Sequence, residues 1–80
     1  MKNNMESTIA LTLAPSGQNL RLINVHGGKR LMHRLAELGL TPGVEMMIVQ
    51  DSGGPILVSV RNSRIALGRG IAHKLNVATI

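Results

Sequence analysis

The sequence predicts a small, mainly β domain, a closed barrel of five or six short strands with one α-helix inserted. Three observations predict it. Short apolar runs recur along the chain, most of them β-branched and separated by Gly, Pro, Asn or Ser turn signals. Only one stretch, Lys29 to Leu38, carries helical spacing. The whole is 80 residues, enough for one domain and a small core; a chain of this size buries only about 60% of the surface its unfolded form exposes. A barrel suits such strands because closure removes the edges that invite aggregation.

The elements follow in order. Residues 1–7 are polar and predict a flexible tail, leaving 8–80 as a single domain. Ile9 to Leu13 is a short apolar stretch, ended by the turn signal Pro15-Ser16-Gly17. Asn19 to Val25 reads as a strand in which Leu20 and Leu22 are in phase while Ile23 and Val25 are out of phase. Gly27-Gly28 ends it. In the helix that follows, Leu31, Leu35 and Leu38 lie at i, i+4 and i+7 and share a face, with Met32 and Ala36 flanking. Gly39 stands where a left-handed cap residue is needed, and Leu40 is placed for the accompanying apolar contact. Pro42-Gly43 suits the central pair of a type II turn. Strands are predicted over Val44 to Gln50, Ile56 to Val60, Arg64 to Leu67 and Leu75 to Thr79. Asn62-Ser63 is read as the tight turn between the middle two, and Gly68 to His73 as a single helical turn. The predicted core is Leu31, Leu35, Leu38, Ile48, Val58, Ile65 and Val77.

Composition narrows the function. Nine Lys and Arg oppose four Asp and Glu, a formal net charge of +5. That balance attracts anionic partners: nucleic acid, acidic lipid or an acidic protein face. The chain has no Phe, Tyr or Trp. Single-stranded nucleic acids are stacked on aromatic rings, and grooves for proline-rich peptides are aromatic-lined, so both usual roles of a small barrel lose their contact residues. There is no Cys, hence no disulfide or thiolate site, which fits a reducing cytoplasm. Met1 to Thr8 lacks a signal-peptide apolar run, and no apolar stretch approaches the ~20 residues of a membrane span. A place at the membrane would therefore run through a protein partner or surface charge.

Candidate sites are few. No Ser or His stands in a catalytic context such as a G-x-S-x-G elbow, and Gly68-Arg69-Gly70 is only a fragment of a phosphate loop, so no catalytic residue is assigned. His33 and Glu37, four apart on the helix, are the one pair spaced to share a divalent ion; metal sites normally need three or four ligands, and no metal or cofactor is expected. His26 and His73 read as surface or capping residues. Met46 and Met47 must face opposite sides of a strand, one in the core and the other free to join Met32 in an apolar contact patch. Lys29, Arg30 and Arg34 on the helix, with Arg61 and Arg64 about the hairpin turn, are the candidate partner-binding cations.

The stretch RLMHRLAELGLTPGVEMMIV, Arg30 to Val49, resembles the central signature of the FeoA family: a leucine-rich helix, a G-L/M-x-P-G turn and a strand. The segment GPILVSVRNSRIALGRGIAHKLNV, Gly54 to Val77, is similar to the family's closing hairpin and IALG-type ending. Leu11, Ala14 and Gly17 are similar to its L-x-x-L-x-x-G opening, with Ala14 where a larger residue is usual. The resemblance implies an SH3-like β-barrel with one inserted α-helix, akin also to the C-terminal domains of metal-dependent repressors. It implies a non-catalytic accessory role in cytoplasmic ferrous-iron uptake beside FeoB, a membrane transporter with a cytoplasmic G-protein domain, and leaves self-association open. The competing reading is a nucleic-acid-binding small barrel or a repressor-type SH3-like regulatory domain.

Overall fold

The computed structural model describes residues 7–80. Six of the seven residues of the expected tail lie outside the described residues. Six strands are present: β1 (Ile9–Ala10), β2 (Asn19–Val25), β3 (Glu45–Gln50), β4 (Ile56–Val60), β5 (Ser63–Leu67) and β6 (Leu75–Thr79). Two helices interrupt them, α1 (Lys29–Glu37) and the single turn α2 (Arg69–Ala72). All pairings are antiparallel, in the order β1-β6-β2-β3-β4-β5. The sheet curls around one core of Leu11, Leu20, Leu22, Leu35, Leu40, Met46, Ile48, Ile56, Val58, Val60, Leu67, Ala72, Leu75 and Val77. The ladder does not run full circle. Strands β1 and β5 are its two ends, so the expected closure is not made by hydrogen bonding between them, and Leu11, Leu67 and Ala72, on or next to elements at those ends, pack in the common core.

The mixed phase of β2 has a physical cause. Leu22 faces Val77 and Asn24 faces Asn76, so Ile23 is an extra residue opposite β6. Such a bulge bends the strand and flips the alternation, which lets β2 serve both halves of the sheet. Strand β3 repeats the device at Val49, between Ile48↔Val58 and Gln50↔Leu57.

Ile9 to Leu13 divides into β1 and a 3₁₀ turn over Leu11–Leu13. Leu11 is fully buried and Ala14 packs on the core, while the Gly17 N–H donates to the Ile48 carbonyl at 2.9 Å. These three positions, spaced three apart, are thus the ones that tie the opening segment down.

Helix α1 ends in a Schellman motif. The Leu40 N–H donates to the Leu35 carbonyl at 2.8 Å and the Gly39 N–H to Ala36 at 2.9 Å, with Gly39 at φ 89°. The left-handed residue reverses the chain and delivers Leu40 beneath Leu35, where both are buried. This corrects the expected core. Leu38, at the helix cap, is 48% exposed because Leu40 takes the interior place its spacing promised. Leu31 and Ile65 are only half-buried; Leu35, Ile48, Val58 and Val77 are buried as expected. Beyond the cap, Val44 N–H donates to Thr41 C=O at 3.1 Å around Pro42-Gly43, with Gly43 at φ 98°. Gly43 and Val44 then bond Leu22 of β2, pinning this turn to the sheet.

The hairpin turn is also corrected. Val60 pairs with Ser63, so the two-residue loop is Arg61-Asn62 rather than Asn62-Ser63. Arg61 is the one non-glycine residue with positive φ among the described residues, at 57°. A two-residue hairpin needs a left-handed first or second residue to match strand twist, and here Arg61 supplies it.

Candidate functional site

Helix α1 has two working faces. Leu31 and Leu35 point to the core. Lys29, Met32, His33 and Ala36 lie at i, i+3, i+4 and i+7, a second stripe on the same helix. Across from that stripe run Val25, at the end of β2, and the pinned segment Leu40-Thr41-Pro42. Together these eight residues line a hollow of about 370 Å³. Its floor is apolar, and Met32 is 41% exposed within it. Lys29 and His33 supply its polar margin. The Schellman cap and the Thr41–Val44 turn build the far wall, so the cleft depends on the same glycines that stop the helix.

A second hollow, about 420 Å³, lies on the outer face of the sheet between Asn19, Val44, Glu45, Met46, Met47, Ser59 and Arg61. Met46 is buried and Met47 half-buried, as strand alternation requires. Met47 and Met32 border different hollows.

The charges sort into two sets. Each described carboxylate has a partner: Glu45 with Arg21 at 3.2 Å, Asp51 with Arg69 at 2.7 Å, Glu37 with His33 at 3.4 Å. Arg21 and Glu45 face each other across β2 and β3. Asp51 also accepts the Gly53 N–H, and Arg69 donates to the Gly54 carbonyl, so this pair clamps the Asp51–Pro55 loop onto α2. The Arg69 guanidinium, then the Gly53 N–H, hold the Asp51 carboxyl below the ordinary carboxylate range. Arg69 thus serves the packed turn expected for Gly68-Arg69-Gly70.

Lys29, Arg30, Arg34, Arg61 and Arg64, the cations singled out from the sequence, are all exposed and have no carboxylate partner among the described residues. They do not form one cluster. Lys29 and Arg30 open α1, and Arg34 lies in its last turn. The Arg61 side chain runs past Gly39, beyond the helix end and so roughly 13 Å of helix away from Lys29. Arg64 lies on the outer face of β5, opposite Ser59.

The expected His33–Glu37 pairing is formed, at the exposed edge of α1. Among the described residues no group of three His, Cys, Asp or Glu side chains is gathered to hold a metal ion. His26 is exposed beside Asn76, whose amide nitrogen lies 2.6 Å from its Nε2, and Asn76 also donates to Asn24 Oδ1 at 2.9 Å. His73 caps α2. No described helix is long and apolar enough to cross a membrane.

The cleft itself escaped the sequence reading, which noted Met32 and Ala36 as flanks of the leucine stripe and Met32 as a partner of a strand methionine in an apolar patch. Its signal was present in the 29, 32, 33, 36 spacing. What was missing was the opposite wall, which a turn brings in from Leu40 to Pro42.

Architecture and surface define an SH3-like barrel with a helix inserted after its first long strand and an apolar cleft beside that helix. The chain belongs to the FeoA family: the FeoA domain pattern matches residues 9–79. It is 31% identical over 67 residues to a putative Fe(2+) transport protein A of Methanocaldococcus jannaschii, covering 84% of this chain and 82% of that one. The fold matches the crystal structure of an iron uptake regulatory protein, FeoA, with a TM-score of 0.85 at 29% identity, over 92% of this chain and all of that one. A manganese-dependent transcriptional repressor shares the fold at a TM-score of 0.86 but only 14% identity, over 96% of this chain and 44% of that one. That last likeness is one of architecture alone.

Proposed function

We propose that this protein is a non-catalytic accessory of ferrous-iron uptake that docks on the cytoplasmic part of a FeoB-like membrane transporter. The observation that carries the reading is the α1 cleft: an apolar floor of Val25, Met32, Ala36, Leu40 and Pro42 with Lys29 at its margin, on a helix whose further cations Arg30 and Arg34, outside the cleft lining, likewise have no carboxylate partner among the described residues. Docking surfaces commonly combine a desolvated apolar centre with a charged rim. The rim steers an acidic partner, while the floor supplies the area that water leaves. Iron is cargo in this scheme. The protein acts in the cytoplasm and reaches the inner membrane through its partner. The lack of any aromatic side chain argues against the nucleic-acid reading, and the repressor-type reading rests on a shared architecture.

The test pairs two variants. Arg30→Glu with Arg34→Glu reverses the exposed charge of α1 alongside the cleft, and Met32→Asp places a charge on the cleft floor. Both should keep a native circular dichroism spectrum, lose co-purification with the transporter and lower ferrous-iron uptake in cells. Reversal of the α1 charge should slow association and lose its effect in high salt, where the Debye length is only a few ångströms. Met32→Asp should act at any salt. Normal binding and uptake in both variants would remove the cleft from the interface. Tight, steeply salt-dependent binding of DNA or RNA would favour the competing reading.

A further inference from the structure

The two ends of the sheet are managed differently. At one end β1 is only two residues long, and shortness is a standard way to blunt an edge. At the other end β5 runs five residues, pairs with β4 without a bulge, and contains neither Pro nor Gly. No backbone group from Ser63 to Leu67 makes a hydrogen bond outside the β4 ladder among the described residues. The register says which groups are open. The two-residue turn makes Val60 and Ser63 a hydrogen-bonded pair, and alternation assigns Val58–Ile65 and Ile56–Leu67 likewise. The N–H and C=O of Arg64 and Ala66 therefore point away from the sheet.

We propose that the β5 edge is a strand-addition site for an extended, acidic–apolar segment of a partner protein. This surface is separate from the α1 cleft, and the inference does not rest on the docking reading above. The side chains specify the occupant. Arg64 and Ala66 share the outer face, and Arg61 adjoins it in the turn; from Ile56 to Leu67 there is no carboxylate. An added antiparallel strand would set acidic side chains opposite Arg64 and Ala66. Its alternate residues would face inward beside Ile65, which packs on the core yet is only half-buried on the β5 edge. An apolar residue there extends the core by one strand. A second copy of this chain fits worse. Edge-to-edge pairing would gather four arginines along one seam with no acidic residue from either hairpin, and like charges across strands are destabilising.

The probe is an eight-residue peptide alternating glutamate and valine, titrated into isotopically labelled protein and followed by amide shifts and hydrogen exchange. The Arg64 and Ala66 amides should shift, saturate and exchange more slowly. A peptide alternating lysine and valine should bind at least about tenfold more weakly, given the sign of the edge. Ala66→Pro removes an outward N–H that the β4 ladder does not use, a position where an edge strand tolerates proline. It should weaken binding by about tenfold or more with the spectrum unchanged. Should that variant unfold, N-methylation of the peptide's glutamates blocks the same bonds from the other side and should abolish binding, whereas N-methylation of its valines should not. No saturation at millimolar peptide, equal binding of the lysine peptide, shifts confined to the α1 cleft, or retained binding after glutamate methylation would each overturn the proposal. So would a concentration-dependent dimer that protects the same amides without peptide.

Discussion

Helix α1 and the Asp51–Pro55 loop use their charges in opposite ways. The loop closes on itself: Asp51 accepts from Gly53 and holds Arg69, and Arg69 reaches Gly54. Four cations and histidines stand on α1, and the one carboxylate there meets only His33. The loop therefore fixes its own shape through its ions, while α1 owes its place to Leu31, Leu35 and the Leu40 cap. Charge that is already paired holds structure. Charge left unpaired beside an apolar cleft is available to a partner.

The apolar anchor of α1 should give the largest effect. Leu35 is 2% exposed in the core, so Leu35→Ala should cost about 2–5 kcal/mol in denaturant unfolding. Leu38→Ala, three residues on, should cost under about 0.5 kcal/mol because that side chain is half in solvent. Equal costs would mean that the helix is seated on its whole leucine stripe and that the comparison is wrong.

The cap comes next. Gly39→Val puts a β-branched side chain at φ 89° and should exceed the ordinary ~1 kcal/mol of a point substitution. The space beside Gly39 is not the obstacle, since an added Cβ would meet only the Arg61 side chain at 3.6 Å. The strain is in the backbone. Gly39→Ala, which adds little bulk, should therefore recover only part of the loss in the same unfolding measurement.

These anchors were largely legible in the sequence, and the reasons are local. Gly39, Leu40 and Pro42-Gly43 form a stop signal whose parts lie within five residues. The phase change at Ile23 was visible in the sequence, though only the pairing with Val77 and Asn76 shows it to be a bulge. The failures are failures of context. Leu38 obeys the helical repeat but sits at the residue where the repeat ends. Arg61 takes the left-handed place in the hairpin, where preference favours Asn or Gly; strand register, set by burial of Val60 and Val58, overrides that preference. The cleft needs a turn that folds Leu40 to Pro42 back beside α1 and is pinned to Leu22 of β2, and the open edge arises from long-range strand pairing, which no window of sequence contains.

The loop clamp should show itself through pH. The Asp51 carboxyl is held below its ordinary range by Arg69 and Gly53, so the folded state binds its proton less readily than the unfolded chain does. The stability it contributes is fully present above the unfolded carboxylate value. It is lost as pH falls through that value to the lowered folded one, below about pH 4. Asp51→Asn should therefore lower stability modestly at pH 7 and narrow the gap to wild type as the pH is brought down. A gap unchanged between pH 7 and pH 2 would remove Asp51 from any role in fixing the loop.

Reversing the unpartnered charge of α1 should have the smallest effect on stability, and this is the sharpest form of the comparison. The first turn of α1 holds no acidic residue, so Arg30→Glu brings a carboxylate to the end of the helix where unsatisfied N–H groups favour it. Arg34→Glu acts in the opposite sense near the last turn, where a cation is preferred. Each effect is about 0.3–1 kcal/mol, and they oppose, so the double variant should unfold within about 0.5 kcal/mol of wild type. Arg69→Gln, a single neutralisation, should cost more than this double reversal because it leaves Asp51 and the Gly54 carbonyl without their donor. Measured side by side at low and high salt, the Arg69 variant should stay the less stable of the two. The opposite ranking would show that the α1 cations support the fold, and their absence of carboxylate partners would then say nothing about docking.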